Sequence, residues 1–255
     1  MKRPDILYKY SSLEPRSRDH ALTAIRSGEV WFSSVSQFND PFEARVRVSM
    51  DGDDGDWFRE FGRHRPDTSS IERMIPEFEQ GVRQDVEQVG LFCLAAKSDD
   101  ILMWSHYADC HRGFCIGFRT TNDSILCDAQ PVEYGNDYPV VDYFRMTREQ
   151  RTRAMVLRKA LHWQYEQEWR VVRVGQPGLA KYPHGMLTSV ILGCEITQTD
   201  REAVLEAVSV LPVELYQAQR HESDYALDLM RVNTTSNHGL QQTPTASRSV
   251  GAAEA

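Results

Sequence analysis

Glu166, Glu168 and Arg170 stand at alternate positions inside the run Trp163-Gln164-Tyr165-Glu166-Gln167-Glu168-Trp169-Arg170-Val171-Val172. If this run is a strand, its side chains alternate, so the three charges share one face while Gln167, Trp169 and Val171 take the other. Two carboxylates on one face repel unless a cation lies across them. A glutamate beside a second glutamate and an arginine can have its pKa pushed in either direction. That suits a general base, or a group that stabilises a developing positive charge. The competing reading is an ion pair from Glu166 or Glu168 to Arg170 or Lys159, at the edge of a strand.

A second segment carries more than a solvated connection needs. In Phe38-Asn39-Asp40-Pro41-Phe42-Glu43 the proline forces Asp40 out of the helical region, and the Asn and Asp side chains can bond their own backbone. The resulting corner is rigid. It is either a clamp between two phenylalanines or a fixed loop that presents Asn39, Asp40 or Glu43 to a pocket. Lys9 lies between apolar neighbours in an early strand, where it either snorkels to water or meets an anionic ligand. His106 and Cys110 are four residues apart on a predicted helix, with His111 and Cys115 beyond, but this spacing fits no familiar closed zinc site. The segment 51–56 is rich in aspartate, yet its glycines are misplaced for a calcium loop, and it reads as a solvated loop.

The elements that must hold these residues follow from periodicity. Apolar alternation predicts strands at 5–10, 29–34, 90–96, 113–118, 132–134, 168–174, 187–192 and 213–218. Helices are expected after Ser17 as far as Ile25, over 70–89 with an interruption at Pro76, at 101–109, over 147–162 and from 199 to 210. The helix over 147–162 carries Arg148, Arg151, Arg153, Arg158 and Lys159, either as a solvated face or as a guide for a phosphate-bearing substrate. On the strand 113–118, Gly113, Cys115 and Gly117 leave one face nearly bare, so a helix, another backbone or a flat ligand can approach closely. The fold class is therefore α+β, with mixed or antiparallel sheets and flanking helices. One globular domain is expected over 1–232, followed by a disordered tail at 233–255 that is poor in residues to bury.

With 255 residues, 41% of them hydrophobic, the chain can bury a substantial core. A net charge of −8 argues against holding nucleic acid by general attraction. No apolar run is long enough to span a membrane, and the expected location is the cytoplasm. Five cysteines, an odd number and partly within apolar runs, suggest reduced thiols. No nucleotide-binding glycine loop, Gly-x-Ser-x-Gly elbow or His-Glu-x-x-His motif is present.

Leu7-Tyr8-Lys9-Tyr10, Trp31-Phe32-Ser33-Ser34, Phe38-Asn39-Asp40-Pro41-Phe42-Glu43, Met103-Trp104-Ser105-His106-Tyr107-Ala108, Gly113-Phe114-Cys115-Ile116-Gly117-Phe118 and Trp163-x-Tyr165-Glu166-x-Glu168-Trp169-Arg170 together resemble domain of unknown function family 2971. That resemblance implies a bacterial protein, sometimes found near phage-defence or toxin genes. A more distant likeness is to the ADP-ribosyltransferase superfamily and its split sheet. It implies NAD as substrate, Glu168 as the catalytic glutamate and Glu166 as the residue orienting an acceptor. By the same likeness Ser33 or Ser34 would contact NAD, and Lys9 or Tyr10 would stand at the first-strand position. Lys9 departs from the superfamily's His or Arg there. Asn39, His106 and Tyr107 are added as pocket-wall candidates from the family motifs. The functional expectation is an NAD-dependent ADP-ribosyltransferase or NAD-cleaving enzyme acting on a nucleotide-type small molecule, with an unspecified macromolecular acceptor. The alternatives are a metal-dependent hydrolase or nuclease built from Asp40, Glu43, His106, Glu166 and Glu168, and a non-catalytic ligand-sensing or interaction module.

Overall fold

The computed structural model describes residues 2–121, 125–175 and 177–232. The tail expected at 233–255 lies outside the described residues. The fold is α+β. The chain divides into two compact units, each assembled from three segments.

The first unit comprises the chain up to Asp5, Glu29–Ala96 and Thr120–Tyr182. Strand Val89–Ala95 runs antiparallel to Glu168–Val174, with Glu168 opposite Ala95 and Val174 opposite Val89. The short strand Gln130–Pro131 pairs on the other side, through Trp169 and Arg170. Three two-stranded pairings complete the unit: Glu29–Phe32 with Gly178–Lys181, Arg47–Ser49 with Val140–Asp142, and Glu133–Gly135 with Arg158–Ala160. Helix Thr68–Glu87 packs Ile71, Val82 and Val86 into a core with Ala44, Val46, Trp57, Val89, Leu91, Met155 and Val156. Pro76 lies within this helix rather than ending it. A proline has no N–H to give, but the apolar face on either side is continuous, so burial outweighs one missing bond.

Two expectations need correction in this unit. The acidic stretch is no solvated loop: Asp53 accepts the Asp56 N–H in a capping box that opens helix Asp54–Phe61. Aspartates satisfy the first-turn donors and complement the positive helix end. The long basic helix is also shorter than expected. It runs Arg148–Val156, and a strand Arg158–Ala160 and a 3₁₀ turn Leu161–Glu166 replace its second half. Lys159 and Glu166 are drawn there into a buried ion network, which a continuous helix would pull apart.

The second unit comprises Ile6–Gly28, Lys97–Arg119 and the chain from Pro183 onward. Its five strands lie in the order Leu227–Arg231, Glu214–Arg220, Leu187–Leu192, Phe114–Arg119, Ile6–Ser11. All neighbours are antiparallel except Leu187–Leu192 with Glu214–Arg220, which are parallel and joined through helix Gln198–Val208. An ion pair from Arg18 to Asp200 ties helix Arg18–Arg26 to that helix. At Gly117 on the Phe114–Arg119 strand the bare face is met by side chains of the paired strand and not by a backbone: a Cβ there would lie 2.4 Å from the Ser189 hydroxyl and 3.0 Å from that of Thr188.

Gly193 is tighter still, because its Cβ would fall 2.0 Å from the backbone oxygen of His111. That oxygen accepts the Glu195 N–H at 3.1 Å, and Gly193 N–H donates to Gly113 O at 2.9 Å. Gly193→Ala must break this junction and is expected to cost about 1–3 kcal/mol. The midpoint of urea unfolding should fall accordingly, and an unchanged midpoint would show that the turn yields freely.

Candidate functional site

The two glutamates converge through a local departure from the strand pattern. Glu166 ends the 3₁₀ turn, and Gln167 takes the left-handed conformation (φ 44°) before the strand begins at Glu168. Regular alternation would hold Glu166 and Glu168 about 6.8 Å apart along one face. The left-handed residue folds both carboxylates onto one ammonium instead. Lys159 Nζ donates to Glu168 Oε2 at 3.0 Å and also bonds Glu166 Oε2.

Arg170 extends the network inward. Its Nε and Nη2 donate to the two oxygens of Glu168 at 2.8 and 2.9 Å, a bidentate fork. Nη1 donates to Glu43 Oε1 and to the Val156 carbonyl, both at 2.6 Å. The guanidinium carbon lies 5.3 Å from the centre of the Phe38 ring, and Lys159 Nζ lies 5.1 Å from the centre of Trp163. Tyr134 accepts the Glu168 backbone N–H at 2.8 Å through its hydroxyl. Relative exposure is 0% for Arg170, 3% for Glu166 and 6% for both Glu43 and Glu168. The expected ion pair is therefore present with both cations at once, buried and not at a strand edge.

Burial alone raises the Glu168 pKa, but Arg170 and Lys159 outweigh it and hold the carboxyl well below the usual carboxylate range, with a further bond from Cys93. Burial likewise works against charge on Lys159, and Glu168 and Glu166 more than restore it. Such a carboxylate is a poor general base near neutral pH, where an effective base has a pKa close to that of the solution. What it offers chemically is a fixed, desolvated negative charge.

The Phe38–Glu43 corner has a definite job in this arrangement. Asp40 Oδ1 accepts the Phe42 N–H at 2.9 Å, and Asp40 O accepts that of Glu43 at 3.1 Å. The turn sends Glu43 inward to Arg170 and leaves Phe42 62% exposed. Asn39 is exposed on the same corner. Ser33 exchanges both backbone bonds with Leu91, at 2.9 and 2.8 Å. Ser34 opens the 3₁₀ turn Val35–Gln37 with a capping box and bonds Ser36 through its hydroxyl at 2.9 Å.

Lys9, Tyr10, His106 and Tyr107 belong to the second unit. The Tyr10 hydroxyl donates to Lys97 O at 2.9 Å, and its ring meets Trp104 edge-on at 5.3 Å. Burial pushes its pKa up. Lys9 stands opposite Ile116 in the register, and His106 is exposed on helix Ile101–Tyr107 with Tyr107 edge-on at 6.3 Å. Four of the five cations of the basic stretch are held by carboxylates: Arg148 by Asp85, Arg153 by Glu149, Arg158 by Glu133 at 3.9 Å and Lys159 by its two glutamates. Arg151 donates to the carbonyls of Tyr143 and Met146. The stretch divides: Arg153 pairs with Glu149 along its own exposed helix face, Arg148 meets Asp85 at the surface, and Lys159 is drawn into the buried network. Among the described residues no three His, Cys, Asp or Glu side chains converge to hold a metal ion.

A Ser–His pair in the second unit escaped the reading of the sequence. Ser105 Oγ lies 3.1 Å from His111 Nε2, across three consecutive left-handed residues, Asp109, Cys110 and His111. A spacing of six residues belongs to no regular element, so only the turn brings them together. His111 Nδ1 is buried with no hydrogen-bond partner among the described residues. A proton there would be stranded, so the favoured tautomer carries it on Nε2. His111 then donates to Ser105, whose own hydroxyl donates to Ile101 O at 2.9 Å. Serine is not activated in that direction, and the pair acts as a clasp on the turn.

No curated protein and no solved structure gives a significant match to the chain. Residues 103–171, which run from the Met-Trp-Ser-His-Tyr motif through the Glu-x-Glu-x-Arg strand, match the family described as a protein of unknown function (DUF2971).

Proposed function

We propose that the chain is a ligand-sensing or interaction module, and that the paired glutamates are its internal frame and not its reactive groups. The observation that carries this reading is the state of Glu168. Both of its oxygens are taken by Arg170 and Lys159, and 6% of the residue is exposed. Three carboxylates and two cations in so small a volume hold together five separate stretches of the first unit: the Phe38–Glu43 corner, the end of helix Arg148–Val156, the Arg158–Ala160 strand, the 3₁₀ turn and the Glu168–Val174 strand. Motif residues that look chemical in sequence then have a reason to occur together without turnover.

A second reading is favoured by one specific feature, the desolvated carboxylate of Glu168, which Arg170 and Lys159 hold well below the usual carboxylate range. In NAD cleavage the bond from the ribose C1′ to nicotinamide breaks with its electron pair leaving on nicotinamide, and a fixed anion stabilises the positive charge left on the sugar. Water or an acceptor nucleophile then bonds to C1′ and gives up its proton. In that reading Glu168 supplies the field, Glu166 orients the acceptor, and Ser33 or Ser34 contacts the dinucleotide. The metal-dependent hydrolase has no converging donor set to be argued from among the described residues.

One experiment separates the two readings. Purified protein is incubated with NAD, and nicotinamide is measured alongside the melting temperature. The frame reading expects no nicotinamide and no shift with NAD, whereas Glu168→Gln lowers the melting temperature with no ligand present. Release of nicotinamide by the wild type, lost in a Glu168→Gln protein still folded by circular dichroism, would overturn it in favour of NAD cleavage.

A further inference from the structure

An open surface groove of about 470 Å³ lies in the first unit between the second half of helix Thr68–Glu87 and the segment Arg45–Val46. One helix face supplies Glu79, Gln80, Arg83, Gln84 and Glu87, at spacings of three and four residues, and Arg45 faces them. Its volume falls in the range of small-molecule sites. The lining is mixed: Val46 and Pro76 are apolar, and Arg45, Gln80, Arg83, Gln84 and Glu87 are exposed at its rim.

Arg83 is the unusual member. Glutamates stand one turn before it and one turn after it, at Glu79 and Glu87, where a surface arginine commonly finds a partner. Arg153 does so with Glu149, and Arg148 with Asp85. The Arg83 guanidinium makes no hydrogen bond or ion pair with the described residues, and Glu79 instead accepts the Val48 N–H at 3.3 Å. Arg45 spends only its Nε, on Pro41 O at 3.3 Å, which leaves its terminal nitrogens for a ligand. Two guanidinium forks and two carboxamides thus border one cleft.

We propose that this cleft binds a small phosphomonoester, with its phosphate between Arg45 and Arg83 and its polar body against Gln80 and Gln84. A phosphomonoester brings close to two negative charges and three terminal oxygens in a tetrahedral array to two guanidinium forks, whereas a carboxylate brings one charge and two coplanar oxygens. Glu79 and Glu87 on the same rim oppose an extended polyanion and select for a small ligand over nucleic acid. The proposal deepens the sensing reading, on which it rests for its role, by naming a ligand class. Arg45 is two residues from Glu43, so occupancy would bear directly on the corner that the buried network holds.

Calorimetric titration with ribose 5-phosphate tests it, with ribose, acetate and inorganic phosphate as companions. Saturable binding of ribose 5-phosphate is expected, with competition by inorganic phosphate and no heat from ribose. Arg83→Gln and Arg45→Gln should each weaken binding by about tenfold or more, whereas Arg148→Gln, a surface control, should not. No saturable binding, equal binding of acetate, or an Arg83→Gln protein that is folded by circular dichroism and binds as the wild type does would each overturn the proposal. Those failures leave the frame reading standing, because the stability of Glu168 and Arg170 variants tests that separately.

Discussion

Arg170→Met is expected to destabilise the chain by about 3–5 kcal/mol, the cost of stranding a buried charge when its partner is removed. The substitution leaves Glu43 without the guanidinium that reaches it at 2.6 Å and leaves Glu168 with Lys159 as its cation and the bond from Cys93. It also abandons the Val156 carbonyl at the end of a helix and the contact with Phe38. A domain is commonly stable by about 5–15 kcal/mol, so most of the margin would be spent and expression of folded protein should fall steeply. The informative comparison is a triple variant, Glu43→Leu, Glu168→Leu, Arg170→Met. Apolar groups of similar bulk need neither desolvation nor pairing, and replacing a whole buried ionic cluster is often neutral or stabilising. Urea unfolding should therefore place the triple variant well above the single one. If the triple variant is the less stable of the two, the network contributes more than mutual compensation of buried charge, and a reactive role for its carboxylates regains ground.

Much of the architecture was legible because burial imposes its period on the sequence. The strands Val89–Ala95, Phe114–Arg119 and Leu187–Leu192 read directly from apolar runs, and helix Thr68–Glu87 from a stripe that continues across Pro76. The segment from Arg148 to Glu168 was harder, because its best local conformation is helical while its charges are satisfied only by breaking the helix. Lys159 has to leave helical geometry to reach Glu166 and Glu168, and Gln167 has to turn left-handed to bring those two together. Neither step leaves a period behind. The ion-pair alternative for the glutamates was in plain view, but its burial was not: Arg170 on an antiparallel strand could equally have faced water. What closes over it is Glu43 from a corner 127 residues away, and a contact of that separation is invisible to any local pattern. The Ser105–His111 clasp was missed for a related reason, since three consecutive left-handed residues make a geometry that residue types alone do not announce.

The stability lost by Glu168→Gln should itself depend on pH, and in one direction only. Glu168 titrates in the folded chain well below its ordinary value of 4.5. The folded state therefore binds fewer protons than the unfolded state as the pH falls below 4.5, so the contribution of Glu168 is complete above that value and disappears towards more acid solution. Glutamine never carries the charge. At pH 7 the variant should be less stable than the wild type by about 2–4 kcal/mol, the loss of two charge-assisted bonds to Arg170 and one to Lys159. As the pH is lowered from 4.5 the two unfolding curves should approach each other. Asp67, whose pKa is drawn down to about 2 chiefly by the Ser69 hydroxyl and the Ser70 backbone N–H, adds acid sensitivity to both proteins equally and cancels in the difference. Lys159 behaves oppositely: its folded pKa lies above 10.5, so its contribution is complete below that pH and is lost only on the alkaline side. Urea midpoints of the two proteins at a series of pH values from 3 to 7 would suffice. A gap that stays constant across that range would mean that Glu168 titrates alike in the folded and unfolded chains, which would end the ionic frame; a wild type that gains on the variant as the pH falls from 7 to 4.5 would mean that Glu168 is neutral in the folded chain, which would end the fixed anion required for NAD cleavage as well.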